Sequence, residues 1–196
     1  MRLYLFLAYL IVSATAFSQT KIKVACVGNS ITEGRRIEAG KKYPDSLQNL
    51  LGEKYEVRNY GLGGRTLLKK GDQPYWNEEK YKEVLAWRPD IVVIKLDTNN
   101  SKPLNWQYKD DFEQNYREMI HAFKSLPGKR KIYICYPIAL FKDMWGIRES
   151  VVKDEIMPAI RQVAKKEKVV IIDLYRPLLG KRDLAPDGSH PLMEGS

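Results

Sequence analysis

The sequence predicts an α/β fold built on a five-stranded parallel sheet, and three observations support this. Short apolar runs rich in Val and Ile alternate with longer stretches in which apolar residues recur at helical spacing. We find no repeat, linker or low-complexity tract between them. The length of 196 residues suits one such domain with a sizeable core and is short for two. Strands and helices in alternation form a parallel sheet with helices on both faces.

Five strands are predicted, of which the third is the clearest because residues 91–94 are continuously apolar, as in a strand buried on both faces. Among the helices, residues 110–123 show the strongest amphipathic spacing, and Pro158 is expected to be a local defect in the last one. The predicted strands are residues 21–27, 55–60, 90–96, 131–136 and 169–174. The predicted helices are residues 44–51, 78–87, 110–123 and 150–166.

Residues 1–20 are predicted to be a signal peptide, which leaves residues 21–196 as the folded domain. Arg2 supplies the positive start, residues 3–12 the apolar segment, and either Ala14-Thr15-Ala16 or Ala16-Phe17-Ser18 the cleavage site with small residues at its first and third positions. The apolar run is short for a membrane span, so an uncleaved anchor is the less favoured alternative. We therefore expect a secreted or periplasmic protein with no stable membrane insertion after cleavage.

The distribution of charge along the chain argues against nucleic-acid binding. The net charge is +9, but the basic residues form small clusters along the whole chain. Nucleic-acid binding usually concentrates them on one face or motif, so no nucleic-acid partner is expected, although weak attraction to acidic polymers stays open.

Cys26 and Cys135 fall in strands that a third strand should separate by about 9–10 Å, too far for a disulfide. Both are expected to be buried and unpaired.

Ligands of parallel sheets bind beyond the carboxyl ends of the strands, so the residues that follow each strand are the candidates for a site. After the first strand, Ser30 is a candidate nucleophile or, alternatively, a helix N-cap. After the second, the glycines of residues 59–66 would let backbone N–H groups approach a ligand, or form a flexible turn. After the third, Asn99 could donate to a developing oxyanion or form an Asx turn.

A fourth polar segment, residues 187–191, places Asp187 three residues before His190. At that spacing the carboxylate can fix the tautomer of the imidazole and stabilise its protonated form, which a general base requires. Taken alone, this segment could equally be a surface turn capped by Asp187. Taken together, the four segments supply a nucleophile, oxyanion donors, a base and its partner at one edge of the sheet.

In these four segments the sequence resembles the SGNH hydrolase, or GDSL-type esterase, family, from residue 28 to residue 191. The resemblance implies a flavodoxin-like three-layer α/β/α sandwich with five parallel strands. It also implies Ser–His–Asp catalysis of ester hydrolysis, with no metal or organic cofactor. The implied catalytic residues are Ser30, Asp187 and His190, and the implied oxyanion hole is formed by Ser30, Gly64 and Asn99.

Three departures from the family pattern lead to expectations of their own. Asn29 stands where the family usually has Asp, and Asp97 and Asn100 occupy the outer positions of a segment that more often reads Gly-x-Asn-Asp. We expect Asp97 to bring a negative charge that opposes the oxyanion, and Asn100 to remove a carboxylate that would order the loop. The family continues after His-Pro into a terminal helix, which is expected to be cut off here because the chain stops at Ser196.

The substrate is indicated by residues 101–106, which resemble those of sialate or xylan O-acetylesterases. With the predicted export, they favour O-acetyl esters on carbohydrate, or another small ester, as the substrate. Arg65, Lys102 and Trp106 are candidate substrate contacts, although Trp106 could equally be a packing residue. Two alternatives stay open: a lysophospholipase or thioesterase of the same fold, and a non-catalytic carbohydrate-binding relative. His121 is expected to be structural.

Overall fold

The computed structural model describes residues 20–192, which form a five-stranded parallel sheet with helices on both faces. The strand order is β2-β1-β3-β4-β5, and every neighbouring pair is parallel. This is the order of flavodoxin-like sheets, so the predicted fold class is confirmed. The strands are β1 (Ile22–Gly28), β2 (Tyr55–Gly61), β3 (Ile91–Lys95), β4 (Lys131–Cys135) and β5 (Val170–Ile172).

Each predicted helix has a counterpart in the structure, but the last one is interrupted, and the short helices after β1, β3 and β5 were not predicted. The segment predicted as one helix over residues 150–166 is divided by a π-helical turn, Val152–Ile156. Pro158 follows directly, and because it has no N–H and its ring crowds the preceding turn, the wider turn accommodates it. The helices are α1 (Ser30–Glu33), α2 (Tyr43–Leu51), α3 (Glu79–Trp87), α4 (Pro103–Trp106), α5 (Phe112–Lys124), α6 (Glu149–Val151), α7 (Met157–Glu167) and α8 (Tyr175–Leu178).

One face of the sheet carries the main apolar core. Val27 and Ile94 are buried there against α3, α5 and α7, and the helices contribute side chains such as Phe123 and Ile160. Burial of each such side chain stabilises the fold by about 1.5–3 kcal/mol. The predicted apolar face of α5 is the one that packs on the sheet. It consists of Phe112, Tyr116, Met119, Ile120 and Phe123, all buried.

The opposite face is covered by α2 and α8. A mostly apolar groove of about 500 Å³ lies between these helices, above Val93 and Cys135. Cys135 and Cys26 are both buried and free, because β3 separates β1 from β4 as predicted.

The predicted signal peptide, apart from Thr20, lies outside the described residues, and so does the chain beyond Leu192 where a terminal helix would begin. Between Thr20 and Leu192, no helix has the length and apolar character needed to cross a membrane.

Candidate active site

The candidate site lies where the strand order reverses, beyond the carboxyl ends of β1 and β3. Gly28, the last residue of β1, pairs with Lys95 of β3. A Cβ atom on Gly28 would lie 2.9 Å from the Lys95 carbonyl oxygen and closer still to Thr32, so only glycine fits. The next residue, Asn29, caps α1 by accepting the Ile31 N–H. Its amide also donates to Thr98 Oγ1 at 3.0 Å, which ties the loops after the two strands together.

Ser30, His190 and Asp187 form a continuous hydrogen-bonded chain. Ser30 Oγ lies 2.8 Å from His190 Nε2, and His190 Nδ1 lies 3.0 Å from Asp187 Oδ2. Ser30 is the first residue of α1, whereas the other two lie in the turn near the end of the chain. The fold therefore brings together the three residues that the sequence singled out, in the order that proton transfer from serine to imidazole requires.

The Asp187 carboxylate is held by the backbone of its own turn. Its Oδ1 accepts the N–H groups of Ser189 at 2.9 Å and His190 at 2.7 Å. Burial raises the pKa of Asp187, but these backbone N–H groups and the imidazole outweigh it and keep the pKa below its ordinary value. Arg36 Nη1 lies 2.5 Å from Oδ2. The carboxylate is thus charged and fixed in orientation.

Trp145 completes the surroundings of the imidazole, and sequence reasoning missed it. Its ring centroid lies 5.1 Å from that of His190, and the Arg36 guanidinium lies 5.8 Å from it. Trp145 and Gly146 both have positive φ between reciprocal backbone hydrogen bonds of Met144 and Ile147, as in a type I′ turn. The turn projects the ring towards the site, and Gly146 was its only sequence signal.

The candidate oxyanion donors come from two other loops. Gly64 has φ +81, a conformation that glycine adopts without strain, and its N–H and that of Ser30 donate to no other group within residues 20–192. Asn99 Nδ2 donates one proton to the Arg65 carbonyl at 3.1 Å, which leaves its second proton for a ligand. Ser30, Gly64 and Asn99 line the same cleft.

The expectation that Asp97 opposes an oxyanion is corrected by the structure. Asp97 is fully buried, and its carboxylate lies 3.1 Å from the buried ammonium of Lys95. It also accepts the Thr98 N–H at 2.6 Å. Because a buried opposite charge balances it, and because Asp97 does not line the cleft, its charge does not face the site unpaired.

The expectation that Asn100 removes a carboxylate needed to order the loop is also wrong. Its Oδ1 accepts the N–H groups of Leu67 and Leu68, each at 3.0 Å. Its Nδ2 donates to the carbonyl groups of Leu96 at 2.8 Å and Asp97 at 2.7 Å. A carboxylate could accept the first pair of bonds but could not donate the second. The amide therefore orders both loops.

The cleft beside Ser30 has a volume of about 420 Å³. Two of the three candidate substrate contacts, Arg65 and Lys102, line it. Trp106 does not: it is 7% exposed, packs against Phe112 and donates its indole N–H to Glu155. The substrate role expected for Trp106 is therefore corrected to packing. The lining residues that sequence reasoning missed include Arg35, Arg36, Gln73, Trp145 and Ile147.

His121 of α5 does not line the cleft. Its Nε2 lies 2.7 Å from Glu167 Oε2 of α7, in agreement with a structural role. Within residues 20–192, no group of three or more His, Cys, Asp or Glu side chains is arranged to hold a metal ion.

The sheet has the strand order of flavodoxin-like α/β proteins, and hydrogen-bonded Ser, His and Asp side chains lie at its carboxyl edge. Together these two features are the architecture of an α/β serine hydrolase. Within that class, the chain belongs to the GDSL-like Lipase/Acylhydrolase family, whose model matches residues 26–196. A sequence relative is an acetylxylan esterase from Xylanibacter ruminicola, 43% identical over 204 residues. The alignment covers 94% of this chain and 42% of that protein, so the chain spans less than half of the relative's length.

Solved structures support the same fold. A carbohydrate acetylesterase from Sinorhizobium meliloti superposes with a TM-score of 0.70 at 18% identity, covering 89% of this chain and 93% of that one. An inhibitor-bound aryl esterase from M. smegmatis superposes with a TM-score of 0.65 at 20% identity, covering 79% and 84%. At such low identity the likeness shows the fold, and the activity has to be argued from the site.

Proposed function

We propose that this protein is an O-acetyl esterase acting on carbohydrates, with Ser30, His190 and Asp187 as its catalytic triad. The observation that carries the proposal is the chain of hydrogen bonds from Ser30 Oγ through the imidazole to the Asp187 carboxylate, at the edge of an open cleft. The similarity to an acetylxylan esterase supports the acetyl group and the carbohydrate as substrate features.

The chemistry proceeds in two acyl transfers. His190 Nε2 takes the proton from Ser30 Oγ as the oxygen attacks the acetyl carbonyl, and the Asp187 carboxylate stabilises the resulting imidazolium. The imidazolium then protonates the departing sugar oxygen and leaves an acetyl-serine. A water molecule, deprotonated by the same imidazole, attacks this ester. Collapse of the second tetrahedral species returns the proton to Ser30 and releases acetate.

The negative charge that develops on the carbonyl oxygen is stabilised by the backbone N–H groups of Ser30 and Gly64 and by the second amide proton of Asn99. Because Asn99 also donates to the Arg65 carbonyl, its amide is held in place before substrate binds. The pairing of Asp97 with Lys95 removes the repulsion that an unpaired carboxylate would exert on this charge.

A small acyl group on a hydrated substrate fits the cleft better than a long acyl chain does. Basic and amide side chains such as Arg35, Arg65 and Asn99 line the cleft beside a few apolar ones, Ile31, Ile37 and Ile147 among them. Such a mixed lining suits an acetyl group on a polar substrate, whereas a lysophospholipase or thioesterase requires a long apolar acyl channel. Trp145 is 54% exposed beside His190 and offers an aromatic face to a sugar ring.

The proposal includes export. Arg2, the apolar residues 3–12 and the two candidate cleavage sites within residues 14–18 have the composition of a signal peptide, and a substrate such as xylan lies outside the cell. N-terminal sequencing of the protein recovered from the medium or periplasm tests this part. A mature N-terminus near residue 21 supports it, and an intact Met1 contradicts it.

Hydrolysis assays test the activity. Wild type, Ser30→Ala and the control Ser125→Ala are compared on p-nitrophenyl acetate, acetylated xylan and a long-chain ester. Within residues 20–192 the Ser125 hydroxyl bonds only to the Ala122 carbonyl of its own helix end, so its variant should match wild type. Ser30→Ala should lose about 10³-fold or more in kcat. Equal rates in wild type and Ser30→Ala would leave a non-catalytic carbohydrate-binding role, and preference for the long chain would favour the lipase alternative.

A further inference from the structure

The charged side chains that line the cleft beside Ser30 are all basic. Four basic side chains line it, and no Asp or Glu side chain of residues 20–192 does so. Each of these cations has a carboxylate within 4 Å, but none of those carboxylates belongs to a lining residue, so basic groups predominate on the surface that a ligand meets. The four basic residues are Arg35, Arg36, Arg65 and Lys102.

Three of these cations are either hydrogen-bonded to the protein or mostly covered by it. Arg36 binds the Asp187 carboxylate, and Lys102, whose side chain is only 17% exposed, lies 3.6 Å from Asp72. Arg65 is fixed by three acceptors: Glu78 Oε1 at 2.8 Å, the Gly63 carbonyl at 2.8 Å and Gln73 Oε1 at 2.9 Å. These side chains contribute to the electric field of the cleft, and each is either hydrogen-bonded to the protein or mostly covered by it.

Arg35 differs from the other three. Its side chain is 73% exposed, and it donates no hydrogen bond to any group in the described part of the chain. The nearest carboxylate, Glu33 Oε2, lies 3.4 Å from Arg35 Nε and already accepts the Gly63 N–H at 3.0 Å. The terminal donors of Arg35 are therefore available to a ligand in the cleft.

Arg35 also lies close to the nucleophile. Its Nη2 and the Cβ of Ser30 are each 3.6 Å from the point that a Cβ on Gly63 would occupy, and Glu33 Oε2 is 2.7 Å from the same point. The guanidinium, the Glu33 carboxylate beside it and the serine therefore surround the bare backbone of Gly63. A group held by Arg35 would sit on the sugar that bears the scissile ester or on its immediate neighbour.

We propose that Arg35 binds a carboxylate of the substrate, so that the preferred substrate is an acetylated oligosaccharide containing a uronic acid. This inference rests on the proposed esterase function and names its substrate class. The planar guanidinium matches a carboxylate with two parallel hydrogen bonds. The positive lining favours the anion over a neutral sugar, and the net charge of +9 adds long-range attraction to an acidic polymer.

The competing explanation is that any exposed arginine increases the attraction of an anionic polymer. Arg176 provides a matched control because its Nε lies 3.4 Å from Asp173 Oδ2, as Arg35 Nε does from Glu33. Its side chain is 86% exposed and it does not line the cleft. Arg35→Gln and Arg176→Gln remove the same charge, but only the first removes the donors beside Ser30.

The experiment compares one acetylated oligosaccharide that contains a uronic acid with the same compound after reduction of its carboxyl group. Acetate release gives kcat/KM for each, and their ratio is measured in wild type, Arg35→Gln and Arg176→Gln. We expect wild type to prefer the acidic compound about three- to tenfold. The preference should fall below twofold in Arg35→Gln and persist in Arg176→Gln. A ratio near one in wild type, or an equal loss in both variants, would overturn the inference.

Binding separates this inference from the proposed function. Calorimetry with Ser30→Ala and the same two compounds measures the preference for the carboxylate without turnover. If wild type hydrolyses p-nitrophenyl acetate but neither measurement shows a preference, only the carboxylate inference fails. If there is no hydrolysis but Ser30→Ala binds the acidic compound more tightly, and the added change Arg35→Gln removes that preference, the subsite stands and the esterase function fails.

Discussion

Arg36 donates to the same carboxylate oxygen of Asp187 that accepts the imidazole N–H of His190. The guanidinium nitrogen is 2.5 Å and the imidazole nitrogen 3.0 Å from this oxygen, so the two nitrogens lie within about 6 Å of each other. The contact joins residues 151 positions apart, from the loop after α1 to the turn near the end of the chain. It fixes the carboxylate and places a permanent positive charge beside the candidate base.

The first prediction concerns this contact. In Arg36→Gln, kcat for p-nitrophenyl acetate should fall about three- to tenfold, because the Asp187 carboxylate loses a donor that fixes its orientation towards His190. The positive charge that stabilises this carboxylate is lost as well. Initial rates of p-nitrophenyl acetate hydrolysis measure the effect.

Arg36→Lys separates charge from orientation. It keeps the positive charge but loses the geometry of the guanidinium, so its rate should lie near that of Arg36→Gln. A rate near that of wild type in Arg36→Lys would assign the effect to charge alone, and an unchanged rate in Arg36→Gln would contradict the role assigned to the contact.

The second prediction concerns the ring of Trp145. Trp145→Asn should raise KM for an acetylated oligosaccharide about three- to tenfold, because the ring beside His190 offers a stacking surface to a sugar. Asn tolerates the positive φ at this position, so the turn should be retained. The ring is more than half exposed, so the thermal midpoint should change by no more than a degree or two.

A comparison of KM for the oligosaccharide with KM for a simple alkyl acetate checks this prediction. An equal rise for both esters would show that the ring acts on the imidazole and not on the sugar.

Particular residues show how far the sequence could predict this site. Ser30 and Asn99 could be found because each follows a recognisable strand, and parallel strands bring their carboxyl ends to one edge. Arg36 and Trp145 could not be found, because both come from loops without periodicity and reach the site through contacts distant in sequence. Turn geometry alone points Trp145 inwards.

Asp97 shows a different limit of sequence reasoning. Its charge was predictable, but its partner was not. Lys95 lies at the end of a strand that reads as continuously apolar, and side chains two residues apart on a strand share a face. Only the structure, in which both side chains are buried, shows that they pair with each other. Asn100 likewise required the positions of four backbone groups.

The third prediction concerns the carboxylate of Glu167, at the end of α7. It accepts hydrogen bonds from Arg117, His121 and Lys124 of α5, and its side chain is only 6% exposed. Burial raises the pKa of Glu167, but these three hydrogen bonds outweigh it and lower the pKa to about 2. The lowered pKa means that the stabilisation is fully present above the ordinary value of 4.5 and is lost as the pH falls towards 2.

Glu167→Gln should therefore lower the free energy of unfolding by about 1–3 kcal/mol at pH 7. The difference from wild type should shrink between pH 4.5 and pH 2. Urea unfolding at several pH values measures both. Glu113→Gln is the control, because Glu113 pairs with Lys166 at the surface and such pairs contribute about 0–1 kcal/mol. A difference that does not depend on pH would contradict the role assigned to the charge.

The fourth prediction concerns the buried pair of Lys95 and Asp97. Lys95→Met should lower the free energy of unfolding by about 3–5 kcal/mol, because it leaves a carboxylate buried without its counter-charge. The double variant Lys95→Met, Asp97→Asn should recover most of this loss, since a neutral amide oxygen can still accept the Thr98 N–H. In Lys95→Met the unpaired charge should also lower kcat, because it would act on the nearby oxyanion. Urea unfolding and p-nitrophenyl acetate hydrolysis measure the two effects. Equal free energies of unfolding for the single and the double variant would show that the uncompensated charge of Asp97 does not cause the loss of stability.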